Sequence, residues 1–133
     1  MIVDPDVEHL LINYLNTALP DHGCTIPVAD RVPPGGGDIP AITLVRTGGA
    51  RRDLVTDEAQ ITVDARDVDN AAAITALILV RALLNDLWGQ ALAGHQVYTV
   101  RELTGPYSNP TTTSELSRYT QSFLVAVRAS QVV

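Results

Sequence analysis

The chain has 133 residues, 46% of them hydrophobic, which suits one domain (residues 1–133) whose core needs neither metal nor disulfide staples. Nine basic residues, all of them Arg, stand against 15 acidic ones, and the net charge of −6 argues against a nucleic-acid clamp that must neutralise phosphates. Aromatics at 5% are too few for a base-stacking platform, and a single cysteine, Cys24, leaves no partner for an internal disulfide.

In chain order, Asp4-Pro5 predicts a helix start, an N-cap acid followed by proline at the first helical position. Val7, Leu10, Leu11, Tyr14, Leu15, Ala18 and Leu19 then form one apolar stripe at helical spacing, and Pro20 ends it. The acids ahead of this stripe are unlike the basic start of a signal peptide, and no apolar run reaches the ~18 residues of a membrane span. His22 and Cys24 are two ligands where a zinc site needs four. Residues 25–31 read as a short strand, placed at a sheet edge by Pro27. Residues 32–38 read as a loop that has the glycines of a P-loop but not its Gly-Lys-Ser/Thr.

Residues 41–46 and 59–66 alternate in the strand period, and Ala59, Ile61, Val63 and Ala65 share a face. Between them lies Arg46-Thr47-Gly48-Gly49-Ala50-Arg51-Arg52-Asp53. A phosphate nest requires a helix after the glycines, whereas residues 54–66 alternate like a strand, so the stretch reads as a hairpin tip. Centring the hairpin between Arg51 and Arg52 places Ile42 opposite Ile61, Leu44 opposite Ala59 and Arg46 opposite Asp57; Leu44 opposite Ile61 is the neighbouring alternative. Arg46 and Asp57 then form a structural pair, and Arg51, Arg52 and Asp53 project.

A second helix is expected over residues 68–88, with Asp67 and Asp69 at its positive end. Ala73, Leu77, Val80, Leu84 and Leu87 make a stripe for the sheet, yet Ile74, Ile78, Leu79 and Leu83 are left over. A helix apolar on both sides predicts a second covering partner, the first helix for part of it and a neighbouring subunit for Ile74, Ile78 and Leu79. Residues 95–103 and 118–129 read as the last two strands. The loop between them, 104–117, exceeds the usual length and reads as a contact arm carrying Tyr107, Asn109 and Glu115. The expected fold is α+β: a mainly antiparallel sheet of four to five strands with two helices on one face, in the order α-β-β-β-α-β-β.

The sequence offers little catalytic chemistry. His9, His22 and His95 lack partners at a recognisable spacing, the serines form no nucleophile elbow, and Asp64, Asp67 and Asp69 lack the glycine and distal glutamate of a calcium loop. No catalytic, cofactor or metal residue is assigned.

The segments "RTGGARRDLVTDEAQITVDARD", "VYTVRELTGPYSNP" and "RYTQSFLVAVRA", in this order around an Ala-rich apolar helix, resemble the tail terminator (tail-completion, or minor tail) proteins of long-tailed bacteriophages. That resemblance implies a non-enzymatic virion protein, assembled in the host cytoplasm. It implies a hexameric ring at the head-proximal end of the tail tube that ends tube growth and meets a head connector. DNA passes through such a ring without specific binding. The 48–53 tip and the 104–117 loop become its expected tube or connector contacts. A head-side connector or neck adaptor is the alternative, and a small anion-binding domain or enzyme using Arg46, Arg51 and Arg52 a second.

Overall fold

A computed structural model describes residues 1–32, 39–110 and 116–131. The elements are β1 (Ile2–Val3), α1 (Val7–Asp21), β2 (Val28–Ala29), β3 (Ala41–Asp53), β4 (Thr56–Asp67), α2 (Asn70–Asn85), β5 (Ala91–Leu92), β6 (His95–Glu102), β7 (Tyr107–Ser108), β8 (Ser117–Arg128) and β9 (Ser130–Gln131).

Both helices are capped by an aspartate. The cap of α1 is Asp6 rather than Asp4, accepting from His9 N at 3.1 Å, and Asp69 caps α2 by accepting from Ala71 N at 3.1 Å. Val7, Leu11, Leu15 and Leu19 are the buried ridge of α1, and Pro20 sits inside its last turn rather than ending it. The second helix is shorter at both ends than its apolar pattern. Its buried ridge is Ala73, Ala76, Leu77, Val80, Leu83 and Leu84. The Tyr14 hydroxyl donates to Leu83 O at 2.9 Å and ties the two helices together.

The sheet corrects the expected fold class. It has seven strands and is mixed, curled into a half-barrel, with β2-β3-β4-β8-β6-β5 as its path and β7 pairing with β8 off that path. Strand β2 runs parallel to β3, with Val28 beside Ile42, and β1 and β9 form a separate antiparallel ladder. Five of the described strands are two residues long, too short to show any period. The expected strand at 25–31 contracts to β2, whose outer edge is closed by a helix side chain. Asn16 receives Val28 N on Oδ1 at 2.8 Å and donates Nδ2 to Val28 O at 2.9 Å.

At the centre, β4 and β8 pair without interruption from Thr56↔Arg128 to Asp67↔Ser117. Ala59, Ile61, Val63 and Ala65 meet Phe123, Val125 and Val127 on the face that both helices cover, and these side chains form one buried cluster with the two helical ridges. Among the described residues no helix is long and apolar enough to cross a membrane.

The β3–β4 hairpin has a different register from the expected one. Ile42 lies opposite Ala65, Leu44 opposite Val63 and Arg46 opposite Ile61, so neither expected alignment occurs. The chain turns at Leu54-Val55, and Gly48–Asp53 belongs to β3 rather than to a tip. The alternating pattern does not reveal this, because a bulge between Arg46 and Gly48 resets it. Gly49 makes the bulge possible. It has φ +93°, and a Cβ there would stand 2.0 Å from Glu58 O of the neighbouring strand. Gly48 has φ +144° but open space around it. Gly49→Ala should therefore cost about 2–4 kcal/mol in chemical denaturation, from strain and overpacking together, and Gly48→Ala only about 1 kcal/mol. Equal losses for the two variants would contradict the packing of Gly49 on β4.

Candidate functional site

Three arginines from the β3 arm meet carboxylates at one end of the sheet. Arg46 points along the core face, although its Cα faces Ile61, and reaches diagonally to Asp57. Its Nη1 donates to Asp57 Oδ2 at 2.6 Å and its Nη2 to Oδ1 at 2.8 Å, a bidentate pair with the carboxylate side chain only 4% exposed. The hydrogen bond to Asp57 is the main reason the Arg46 guanidinium is held above its ordinary value. The Arg46 amide donates to Glu8 Oε2 at 2.7 Å, so the first turn of α1 is fastened to the same residue. Arg51 Nη2 donates to Asp4 Oδ2 at 2.8 Å just ahead of that helix. Arg52 is held most loosely, with Nε 3.9 Å from Glu58 Oε1.

The other expected contact residues fall into separate places. Asp53 is engaged in the turn instead of reaching out from it. Its Oδ1 accepts from Val55 N at 2.9 Å, and this bond, closing the turn, is the main reason its carboxyl sits below its usual value. The side chain that stands out at the turn is apolar: Leu54 is 75% exposed, the most of any described large hydrophobic residue after Met1.

Residues 104–110 are not a free arm. Strand β7 pairs with β8, Thr104 Oγ1 accepts from Ser122 N at 3.0 Å, and Asn109 is bound through its amide and side chain to Arg118 O and Thr120 Oγ1. The fully buried Gln121 holds the bend before β7, donating to Glu102 Oε1 at 2.6 Å and to Thr104 O at 2.9 Å. Arg81 grips the same glutamate, and its hydrogen bond is the largest influence lowering the Glu102 carboxyl below its usual value. Of the expected contacts on this segment, Tyr107 stands exposed, Asn109 is partly covered, and Glu115 lies outside the described residues. Tyr107 sits against the start of β8 and the Leu54 turn beside its end, so the two expected contact regions occupy opposite ends of the sheet.

On α2, Ile78 is half exposed and Ile74 intermediate, whereas Leu79 packs against the core from the edge of a groove. That groove, about 490 Å³, runs between the chain after α1 and the first half of α2, lined by His22, Cys24, Ile26, Asp69, Ala72 and Leu79 among others. The small side chains that open it, Ala71, Ala72, Thr75 and Ala76, read in the sequence as helix propensity rather than as a recess. Among the described residues no three His, Cys, Asp or Glu side chains gather as a metal site.

Compared with solved structures, the chain is similar to one from the virion of a native gene transfer agent (GTA) particle. The TM-score is 0.70 at 17% identity, covering 92% of this chain and 94% of that one, a likeness of fold over almost the full length. No family model matches the chain, and no curated protein matches it.

The ion pairs differ in burial, which sets their weight in stability. Asp57→Ala should lower stability by about 1–2 kcal/mol, since it removes two charge-assisted bonds at a buried carboxylate. Arg51→Ala should change it by at most about 1 kcal/mol, because both side chains of that pair remain partly exposed, the carboxylate far more than that of Asp57. Thermal melts of the two variants side by side decide the order, and equal midpoints would remove the Arg46–Asp57 pair from its assigned importance.

Proposed function

We propose that the chain is a structural virion protein of a phage-like particle, forming a homo-oligomeric ring at the head-proximal end of the tail tube. The observation that carries this reading is the likeness of nearly the whole fold to a chain of a gene transfer agent virion. The sequence resemblance to tail terminators supplies the finer part: the ring, sixfold in that family, ends tube polymerisation and offers the surface that a head connector meets. The protomer fits an assembly part. It carries an exposed hairpin turn, a half-exposed Ile78 on a helix whose other side is buried, and an exposed Tyr107, spread over different ends and faces. DNA would pass a lysine-free, acidic subunit without a strong electrostatic trap.

The arginines give the anion-binding reading no support. Arg46, Arg51 and Arg52 each face a carboxylate of the same chain, so a phosphate would have to displace Asp57, Asp4 or Glu58.

The test mixes the purified protein with polymerising tail tube protein and, separately, with the head connector of the same particle. Light scattering and negative-stain images should show a ring with a central hole, and tubes that stop growing when it is present. Tubes that elongate unchanged while the ring binds the connector's head side would transfer the protein to the neck-adaptor role. A strict monomer that binds neither sinks the assembly reading.

A further inference from the structure

We infer that the Leu54-Val55 turn of one copy seats in the groove between the segment after α1 and the first half of α2 of the next copy, so that the ring is built from a head-to-tail contact between these two surfaces. This joint rests on the ring-forming reading and supplies the residues that would make it.

The turn has the form of a knob. Leu54 is 75% and Val55 37% exposed, on a two-residue connection that Asp53 closes and that Gly49 and the Arg46–Asp57 pair stiffen from behind. Rigid apolar tips cost little entropy when they dock. The groove has the form of a hole. Ala71, Ala72, Thr75 and Ala76 leave room between Leu79 and Ile26, and about 490 Å³ accommodates the Leu54 and Val55 side chains together.

Charge favours the same match. Arg52 stands two residues before Leu54 with its side chain 44% exposed and its carboxylate partner 3.9 Å away. Asp69, exposed at the start of α2, lines the groove. A carboxylate at the groove thus receives a tip led by a loosely held arginine.

Topology excludes the chain's own turn as the occupant, and the ring reading supplies a second copy. The turn precedes the first residue of β4, and the groove begins at the α2 cap just after the last. A strand of this length separates them by about 35 Å, so no chain fills its own groove. Two different surfaces at opposite ends of one rigid sheet give a heterologous contact, which closes into a ring when the rotation between copies permits.

Cys24 lines the groove and is the chain's single cysteine, which provides a direct test. Leu54→Cys places a second thiol on the turn. Under mild oxidation this variant should form a ladder of disulfide-linked multimers on a non-reducing gel, ending at the size of the ring. Leu54→Cys combined with Cys24→Ser should lose that ladder, and Leu103→Cys, an exposed control outside both surfaces, should not form it. Leu54→Asp should fold with an unchanged melting temperature, yet require about ten- to a hundredfold more protein to assemble, as expected for losing one buried leucine. Rings that form normally without the ladder and assemble unchanged with Leu54→Asp overturn this joint and leave the ring reading standing. A native chain that never assembles, alone or on tube ends, overturns both.

Discussion

The continuous β4–β8 ladder is the constraint on which the other elements depend. Its pairs run from Thr56↔Arg128 to Asp67↔Ser117 with no shift in register, and its inner face supplies Ala59, Ile61, Val63, Phe123, Val125 and Val127 to the core. A one-residue slip would turn every one of these side chains to the other face, so burial under two helices fixes the pairing strongly. The flanking strands absorb the irregularities instead. Bulges fall at Arg46/Gly48 and Arg51/Asp53 on β3, and at Val97/Thr99 on β6. Bulges increase local twist and bend a strand, so a regular central pair with kinked neighbours on both sides is a means by which the sheet curls into a half-barrel.

The kink on β3 has a second consequence. Beyond it the strand pairs on its outer side with no other described strand, since β2 pairs only with Ile42 and Thr43. Such an edge frays unless something holds it. Arg46 and Arg51 hold it through Asp57 and Asp4, while Glu8 takes the Arg46 amide. The acids around the start of α1 thus do more than answer the helix dipole. They tie the outer strand of the sheet to the start of α1, while the Val55 carbonyl accepts from Ala129 N at the end of β8, so the Leu54-Val55 turn is presented at a fixed position.

Sequence patterns reach the parts of this architecture that repeat. Both helices, the buried ridge of α1 and the inward face of β8 follow from periods sustained over three or more turns or pairs. The two-residue strands leave no such trace, and the parallel β2–β3 pair depends on Asn16 and Pro27 making bonds that only the folded chain brings together. The hairpin shows the limit most clearly. Arg46 and Asp57 are oppositely charged and eleven residues apart, which invites direct pairing, but a guanidinium is long enough to make the same bond diagonally after a bulge. A charge pair therefore restrains the register less than an apolar pair does, because its side chains reach further than the strand spacing.

The same reach hides the exposed turn behind the arginines. Charged residues between two strands are naturally read as the solvated tip, and Leu54 and Val55 as the start of the returning strand. In the structure Arg51 folds back onto Asp4, Asp53 bonds to the Val55 amide, and the two apolar residues carry the turn. Turn positions usually favour residues that tolerate water or unusual backbone angles, and Leu-Val supplies neither advantage. The leucine at the end of this hairpin is three-quarters exposed, and the surrounding hydrogen bonds define the turn without its side chain.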